Sequence, residues 1–210
     1  MAATGLYYLL PAHLQATALV QFMPQIMGYA ALAVWASANK NAAERLGLRA
    51  GQMSEGCRWG LPTGLALGLL NVSVIRLVPR LGYDITFLQD TPHAHIPVAV
   101  MIPWVILLIG VAVELNFRGF LLGRLLALMT GTWRLSPRLG GSTAIALSAL
   151  VFSFDPFMVA TFKYLHWIAV WDGIVWGMIW IRTRNLFATI IAHTVEVIVM
   201  YTILKIVLVG

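Results

Sequence analysis

The feature that most constrains this chain is a succession of apolar runs, several of them as long as a membrane-spanning helix. A helix needs about 20 apolar residues to cross about 30 Å of hydrocarbon. The 210 residues are 60% hydrophobic and 10% charged, whereas soluble domains are roughly half apolar and about a quarter charged. We therefore expect an integral protein of the lipid bilayer, and not a secreted domain, a coiled coil or a disordered tail.

Six runs can be marked, and they predict an all-α, polytopic helical bundle with about six transmembrane spans. They cover residues 14–37, 59–79, 96–129, 142–157, 164–181 and 186–209. The third is too long for one crossing, so we expect it to bend, or to break near Arg118 and Gly119. Asp155 and Pro156 interrupt the fourth, which should therefore not cross as a plain helix.

The positions of the basic residues predict the orientation, because cytoplasmic loops carry an excess of Lys and Arg. With the N-terminus outside, the inner loops contain ten bases and the outer side four. The inner set is Lys40, Arg45, Arg49, Arg58, Arg118, Arg124, Arg134, Arg138, Arg182 and Arg184, and the outer set is Arg76, Arg80, Lys163 and Lys205. We predict that both termini lie outside. This distribution explains the net charge of +6 without a nucleic-acid partner.

Ionisable side chains inside apolar runs are costly, so each needs a partner or a function. Glu114 and Arg118 are four apart, which places them on one helical face as an ion pair, or as a carboxylate aimed into a polar cavity. His193 and Glu196 are three apart, and form either a metal ligand with its partner or a packing pair. His166, near the end of a run, is most simply an interfacial histidine.

Other residues predict packing and not chemistry. Gly60, Gly64 and Gly68 are four apart on the second run, which predicts a smooth face against which another helix packs closely. The single cysteine, Cys57, excludes an internal disulfide and a CxxC metal site. We predict no cofactor-binding residues, and the sequence leaves the question of a metal open.

Two segments carry a family resemblance. One begins Glu114-Leu-Asn-Phe-Arg118-Gly119, and the other runs from Gly177 to His193. They resemble the E-E-x-x-x-R-G and G-W-L-Y-L-R-T-G-S-L-x-x-x-I-x-x-H motifs of the CPBP intramembrane metalloproteases, or Abi family, which includes the type II CAAX prenyl endopeptidases. The resemblance starts near Leu46. It implies a CPBP-like membrane domain over residues 46–210, preceded by an N-terminal segment, residues 1–45, with the first span.

Three positions depart from the family's motifs. The resemblance implies that a glutamate and histidines activate water, and that an asparagine helps to hold the oxyanion. Here Val113 replaces the first glutamate, Pro156 stands where the F-x-x-x-H histidine is expected, and Val197 replaces the asparagine of H-x-x-x-N. A general base and an oxyanion donor each contribute orders of magnitude to the rate. These substitutions indicate that hydrolysis has been lost.

We therefore expect a CPBP-fold protein without catalysis, which acts as a scaffold or subunit of a membrane protein complex, with Glu114, Arg118 and His193 as its site residues. The alternative is an active endopeptidase for prenylated or membrane-embedded substrates. In it, His166 and Glu196 replace the lost groups, and zinc or another divalent metal is the cofactor. A third hypothesis is an accessory subunit of a pigment or electron-transfer complex. The expected partners are the lipid bilayer and a membrane protein.

Overall fold

The regular structure of this chain is helical. In the computed structural model the backbone is described for residues 1–209, and the side chains for all of these except residues 92, 93 and 207–209. The helices of this part are α1 (Ala2–Tyr7), α2 (Ala12–Gln15), α3 (Ala18–Ser37), α4 (Ala42–Leu46), α5 (Met53–Leu77), α6 (Pro92–His95), α7 (Val98–Thr132), α8 (Pro137–Ser153), α9 (Pro156–Phe162), α10 (Ile168–Thr183) and α11 (Leu186–Val209). Short 3-10 turns cover Ala50–Gln52, Val78–Leu81, Thr86–Asp90 and Lys163–Trp167.

Four helical stretches of the described chain are long and apolar enough to cross a membrane. They are Ala18–Ser37, Ala42–Leu81, Val98–Thr132 and Leu186–Ile206. Pro137–Ser153 and Pro156–Thr183 pass the same test together, with a bend of 54° at the break between them, so the total is five if this pair counts as one span. The all-α, multi-span fold class is confirmed. The six spans predicted from the sequence include the two halves of this bent pair as separate spans.

The break inside the bent pair confirms that the fourth run does not continue as a plain helix. α8 ends at Ser153, and Pro156 is the first residue of α9. Proline is favoured at this position, because the first helical N–H has no partner within the helix. The carboxylate of Asp155 caps the new helix by accepting a hydrogen bond from the backbone N–H of Phe157 at 3.1 Å.

The third run remains helical from Val98 to Thr132, so a break near Arg118 and Gly119 is not observed. The helix instead contains wider π turns over Met101–Ile106, Leu115–Leu122 and Leu128–Thr132. π turns within α-helices are found frequently at functional sites. Here one of them begins directly after Glu114 and contains Arg118.

Contacts group the described chain into two compact units. The first unit comprises Met1–Arg49 and Leu115–Leu186, and the second comprises Ala50–Glu114 and the chain from Phe187 onwards. The division between residues 45 and 46 that the resemblance implies stays a prediction.

In the first unit, α8 and α10 pack in antiparallel directions. A Cβ atom on Gly141 would lie 3.7 Å from Ile181, and one on Gly177 would lie 3.1 Å from Ile145. A Cβ on Gly173 would lie 2.9 Å from Ala149. Residues later in α8 therefore contact residues earlier in α10. The beginning of α8 thus lies beside the end of α10.

In the second unit, the glycine stripe of α5 packs against α11. Added Cβ atoms on Gly60 and Gly64 would lie 2.7 and 2.4 Å from the backbone oxygens of Ala188 and Ala192. Real Cβ atoms essentially never approach so closely, and only the absence of side chains lets the two backbones come together. The predicted close packing of a helix on this face is confirmed, and the partner is α11.

Candidate functional site

The centre of the candidate site is a buried carboxylate–imidazole pair in the second unit. Glu114 is the last residue of an α-helical turn of α7, and His193 lies in the first half of α11. A hydrogen bond joins Nδ1 of His193 to Oε1 of Glu114 at 3.1 Å. The two residues are 0% and 6% exposed. The structure thus brings together two of the predicted site residues that are 79 positions apart.

This contact orients the imidazole ring. A carboxylate at Nδ1 favours the tautomer that carries its proton on Nδ1, which leaves Nε2 as the basic nitrogen. The same arrangement orients histidines that act as general bases or metal ligands. The pair therefore keeps an imidazole and a carboxylate in hydrogen-bond contact, although valines occupy the family's glutamate position at 113 and its asparagine position at 197.

A second buried polar pair lies in the same unit. The side-chain amide of Asn71 on α5 donates a hydrogen bond to Oε1 of Glu196 on α11 at 2.8 Å. Asn71 is 0% and Glu196 3% exposed. Sequence reasoning missed Asn71, although an amide within the run Leu-Leu-Asn-Val is a usable signal, because an amide inside hydrocarbon also needs a partner.

Arg118 lies in the first unit, against two aromatic rings. Its guanidinium carbon is 4.4 Å from the ring centre of Phe152 and 4.8 Å from that of Trp176. A Cβ on Gly173 would lie 3.2 Å from a terminal nitrogen of Arg118, so this glycine leaves room for the buried guanidinium. Cation–π contacts stabilise a charge that has been removed from water. The ion pair expected between Arg118 and Glu114 stays a prediction.

His166 lies in the 3-10 turn Lys163–Trp167 of the first unit. Its Nδ1 contacts the backbone oxygen of Lys163, and its ring meets Phe154 edge-on, with 5.1 Å between the ring centres. Pro156, at the position of the expected motif histidine, is buried at the start of α9. His166 and Pro156 thus both lie in the first unit.

The residues present at the Glu114–His193 pair do not fit a catalytic zinc centre. Such a centre uses three protein ligands and keeps one open position. Among the side chains that the structure describes, no group of three or more His, Cys, Asp or Glu residues is arranged to hold a metal ion. This pair supplies only one nitrogen and one carboxylate.

Taken together, the helices and this pair define an all-helical membrane protein with a buried carboxylate–imidazole centre. A family model described as type II CAAX prenyl endopeptidase Rce1-like matches residues 95–199, which is half of the chain. The chain therefore belongs to the Rce1-like family of type II CAAX prenyl endopeptidases, and the resemblance seen around Glu114, Arg118 and His193 is confirmed. No curated protein and no solved structure matches the chain.

Proposed function

We propose that this protein is a non-catalytic member of its family and serves as a scaffold or subunit of a membrane protein complex. The observation that carries the proposal is the set of residues at three positions of the family's chemistry, Val113, Pro156 and Val197. None of these side chains can take up a proton or donate a hydrogen bond. Loss of a single oxyanion donor costs about 10²–10³ in rate, and loss of a base adds to it.

The retained polar residues have structural roles that do not require hydrolysis. Glu114 and His193 hydrogen-bond to each other between α7 and α11 of the second unit. Arg118 is held by Phe152 and Trp176 in the first unit. Polar groups inside a membrane protein stabilise it when they are satisfied by neighbouring helices. Selection for the fold alone is therefore sufficient to keep these residues.

Pro156 supports the same proposal. It occupies the first position of α9, where its ring favours the start of a helix and where Asp155 caps the turn. A histidine at this position would carry chemistry, whereas the proline shapes the break between α8 and α9. This position thus has a proline, which constrains the backbone, in place of the motif's histidine, which can react.

One observation favours an active endopeptidase as the second candidate, namely the 3.1 Å contact between His193 and Glu114. In this candidate, Nε2 of His193 accepts a proton from water as the water oxygen bonds to the peptide carbonyl carbon. Glu114 stabilises the imidazolium ion. His193 then returns the proton to the amine nitrogen as the C–N bond breaks.

Peptide cleavage by the full chain in lipid nanodiscs distinguishes the two candidates. A prenylated peptide and a membrane-embedded helical peptide are supplied, and new termini are measured by mass spectrometry. We expect no cleavage above that of peptide alone. Cleavage that disappears in Glu114→Gln and His193→Gln, but persists in the exposed control Glu55→Gln, would overturn the proposal.

The second part of the proposal is tested by gentle extraction from a native membrane, followed by native mass spectrometry. We expect a membrane protein bound at fixed stoichiometry. If the chain is inactive and also leaves the membrane without such a partner, the subunit function is wrong.

A further inference from the structure

Two arginines of the first unit are stacked on tryptophans near the ends of membrane helices. The guanidinium carbon of Arg124 lies 4.6 Å from the ring centre of Trp35, and that of Arg184 lies 4.9 Å from the ring centre of Trp180. Stacking on an indole orients the planar guanidinium and reduces the freedom it would lose on binding a ligand. The orientations of these two side chains are therefore restricted.

Both stacks connect to one short segment around Arg45. Arg45 donates a hydrogen bond to the side-chain oxygen of Asn39, and the amide of Asn39 donates to the backbone oxygen of Trp35 at 2.7 Å. On the other side, Nε1 of Trp180 donates to the backbone oxygen of Leu46 at 3.2 Å. The Trp35 and Trp180 stacks are therefore linked through neighbouring residues of α4.

The three guanidinium groups are not neutralised by any carboxylate in the part of the chain that the structure describes. Among the described side chains, none forms an ion pair with Arg45, Arg124 or Arg184. Within the same part of the chain, Nε of Arg124 is buried without a hydrogen-bond partner. Arg45 and Arg124 are also close enough for their positive charges to repel each other. A bound anion would relieve this repulsion and supply the missing acceptor.

The surrounding surface is basic as well. The first unit contains three acidic residues, of which Asp155 and Asp172 are buried and Glu44 is exposed. Exposed Arg138 at the beginning of α8 and exposed Arg182 at the end of α10 lie at the same end of that helix pair, because the pair is antiparallel. Positive potential thus accumulates at this end.

We propose that Arg45, Arg124 and Arg184, with Trp35 and Trp180, form a binding site for the phosphate of an anionic phospholipid headgroup. Guanidinium forks bind phosphate oxygens in pairs, and tryptophan is favoured where headgroups meet hydrocarbon. The location fits this ligand, since Trp35 lies two residues before the end of α3 and Arg184 directly follows α10. This proposal does not depend on whether the protein hydrolyses peptides.

Native mass spectrometry of the detergent-purified full chain tests the site, with equal amounts of phosphatidylglycerol and phosphatidylcholine added. We expect preferential binding of phosphatidylglycerol. The double variant Arg45→Gln/Arg124→Gln should weaken this binding on the order of tenfold to thirtyfold, at about 1 kcal/mol per charge near a membrane surface. The control Arg76→Gln/Arg80→Gln removes the same charge from the second unit and should change binding less than about twofold. Circular dichroism verifies that the variants fold. If the double variant does not fold, the single variant Arg184→Gln replaces it in the binding measurement.

Further binding measurements identify the ligand. Lysine at positions 45 and 124 keeps the charge but loses the planar fork, so Arg45→Lys/Arg124→Lys should give intermediate binding. Equal binding of both lipids, or equal losses in the site and control variants, would overturn the proposal. Inorganic phosphate or an acidic peptide that binds as tightly as phosphatidylglycerol would overturn the assignment to a lipid.

Discussion

Glu114 and His193 are hydrogen-bonded to each other and nearly excluded from solvent. Truncation of one residue therefore removes a hydrogen bond of the other, and water cannot replace it. We predict that Glu114→Ala lowers the free energy of unfolding by about 1–3 kcal/mol. Thermal unfolding of the detergent-purified protein measures the change. The exposed acid of α5 provides the control, since Glu55→Ala should alter stability much less. Equal effects of the two variants would contradict a structural role for the pair.

Asn71 and Glu196 provide a second test at the same scale. We predict that Asn71→Leu and Glu196→Leu are not additive, with a coupling energy of about 0.6–1.7 kcal/mol, as found for side-chain hydrogen bonds in membrane proteins. A double-mutant cycle, measured by reversible unfolding in mixed detergent, gives this value. Within the described residues, Ser73 hydrogen-bonds locally, to the backbone oxygen of Leu69. Ser73→Ala combined with Glu196→Leu should therefore be additive, and a similar coupling in both cycles would argue against a specific bond.

The individual site residues were easier to predict than their partners. Glu114 and His193 stand out because ionisable groups are rare in apolar runs. Their contact with each other does not, because the sequence reveals only neighbours on the same helix. These neighbours predicted Arg118 for Glu114 and Glu196 for His193, and both pairings stay predictions. Asn71 was missed because an uncharged amide stands out less from the run that contains it.

Helix α5 offers a prediction at the scale of elements, because its glycines decide how closely it can approach α11. A Cβ on Gly64 would lie 2.4 Å from the backbone oxygen of Ala192, and a backbone atom cannot move aside as a flexible side chain can. We predict that Gly64→Ala lowers the free energy of unfolding by about 1–3 kcal/mol. Thermal unfolding in detergent measures the effect.

Gly5 supplies the matched control, because it also lies in a helix but has no heavy atom within 4 Å of an added Cβ. Gly5→Ala should be neutral, or stabilising by up to about 1 kcal/mol through helix propensity. If both substitutions stabilise the protein, α5 and α11 are not as closely packed as the structure indicates.

The elements could be predicted where a residue type forces the geometry. Pro156 cannot continue a preceding helix because it has no backbone N–H. Glycines every four residues leave a smooth face, so the break after α8 and the close packing of α5 were both predicted. The π turns of α7 were not, because a change from α to π geometry alters neither hydropathy nor composition. The sequence instead predicted a bend, or a break near Arg118 and Gly119, and the helix runs through both residues without a break.

At the scale of the whole molecule, the antiparallel packing of α8 and α10 bears on the topology. Because the beginning of α8 lies beside the end of α10, the loops that contain Ser136 and Arg184 belong to the same end of this pair. Both loops are basic, as expected for the inner side of a membrane. An arrangement in which the bent pair made a single crossing would place one basic loop on each side. We therefore predict that the chain leaves the pair on the side where it entered, so that the two termini lie on the same, outer side.

Thiol labelling in intact spheroplasts of an expression host measures this topology. Single cysteines are introduced into a Cys57→Ser background, as Ser136→Cys, Arg182→Cys and Tyr83→Cys, at positions that are exposed in the structure. A membrane-impermeant reagent should label Tyr83→Cys at once, since the charge distribution predicts that its loop is outside. Ser136→Cys and Arg182→Cys should react only after permeabilisation. If one of these two reacts from outside while the other stays protected, the pair crosses as one span, and the two termini must lie on opposite sides of the membrane.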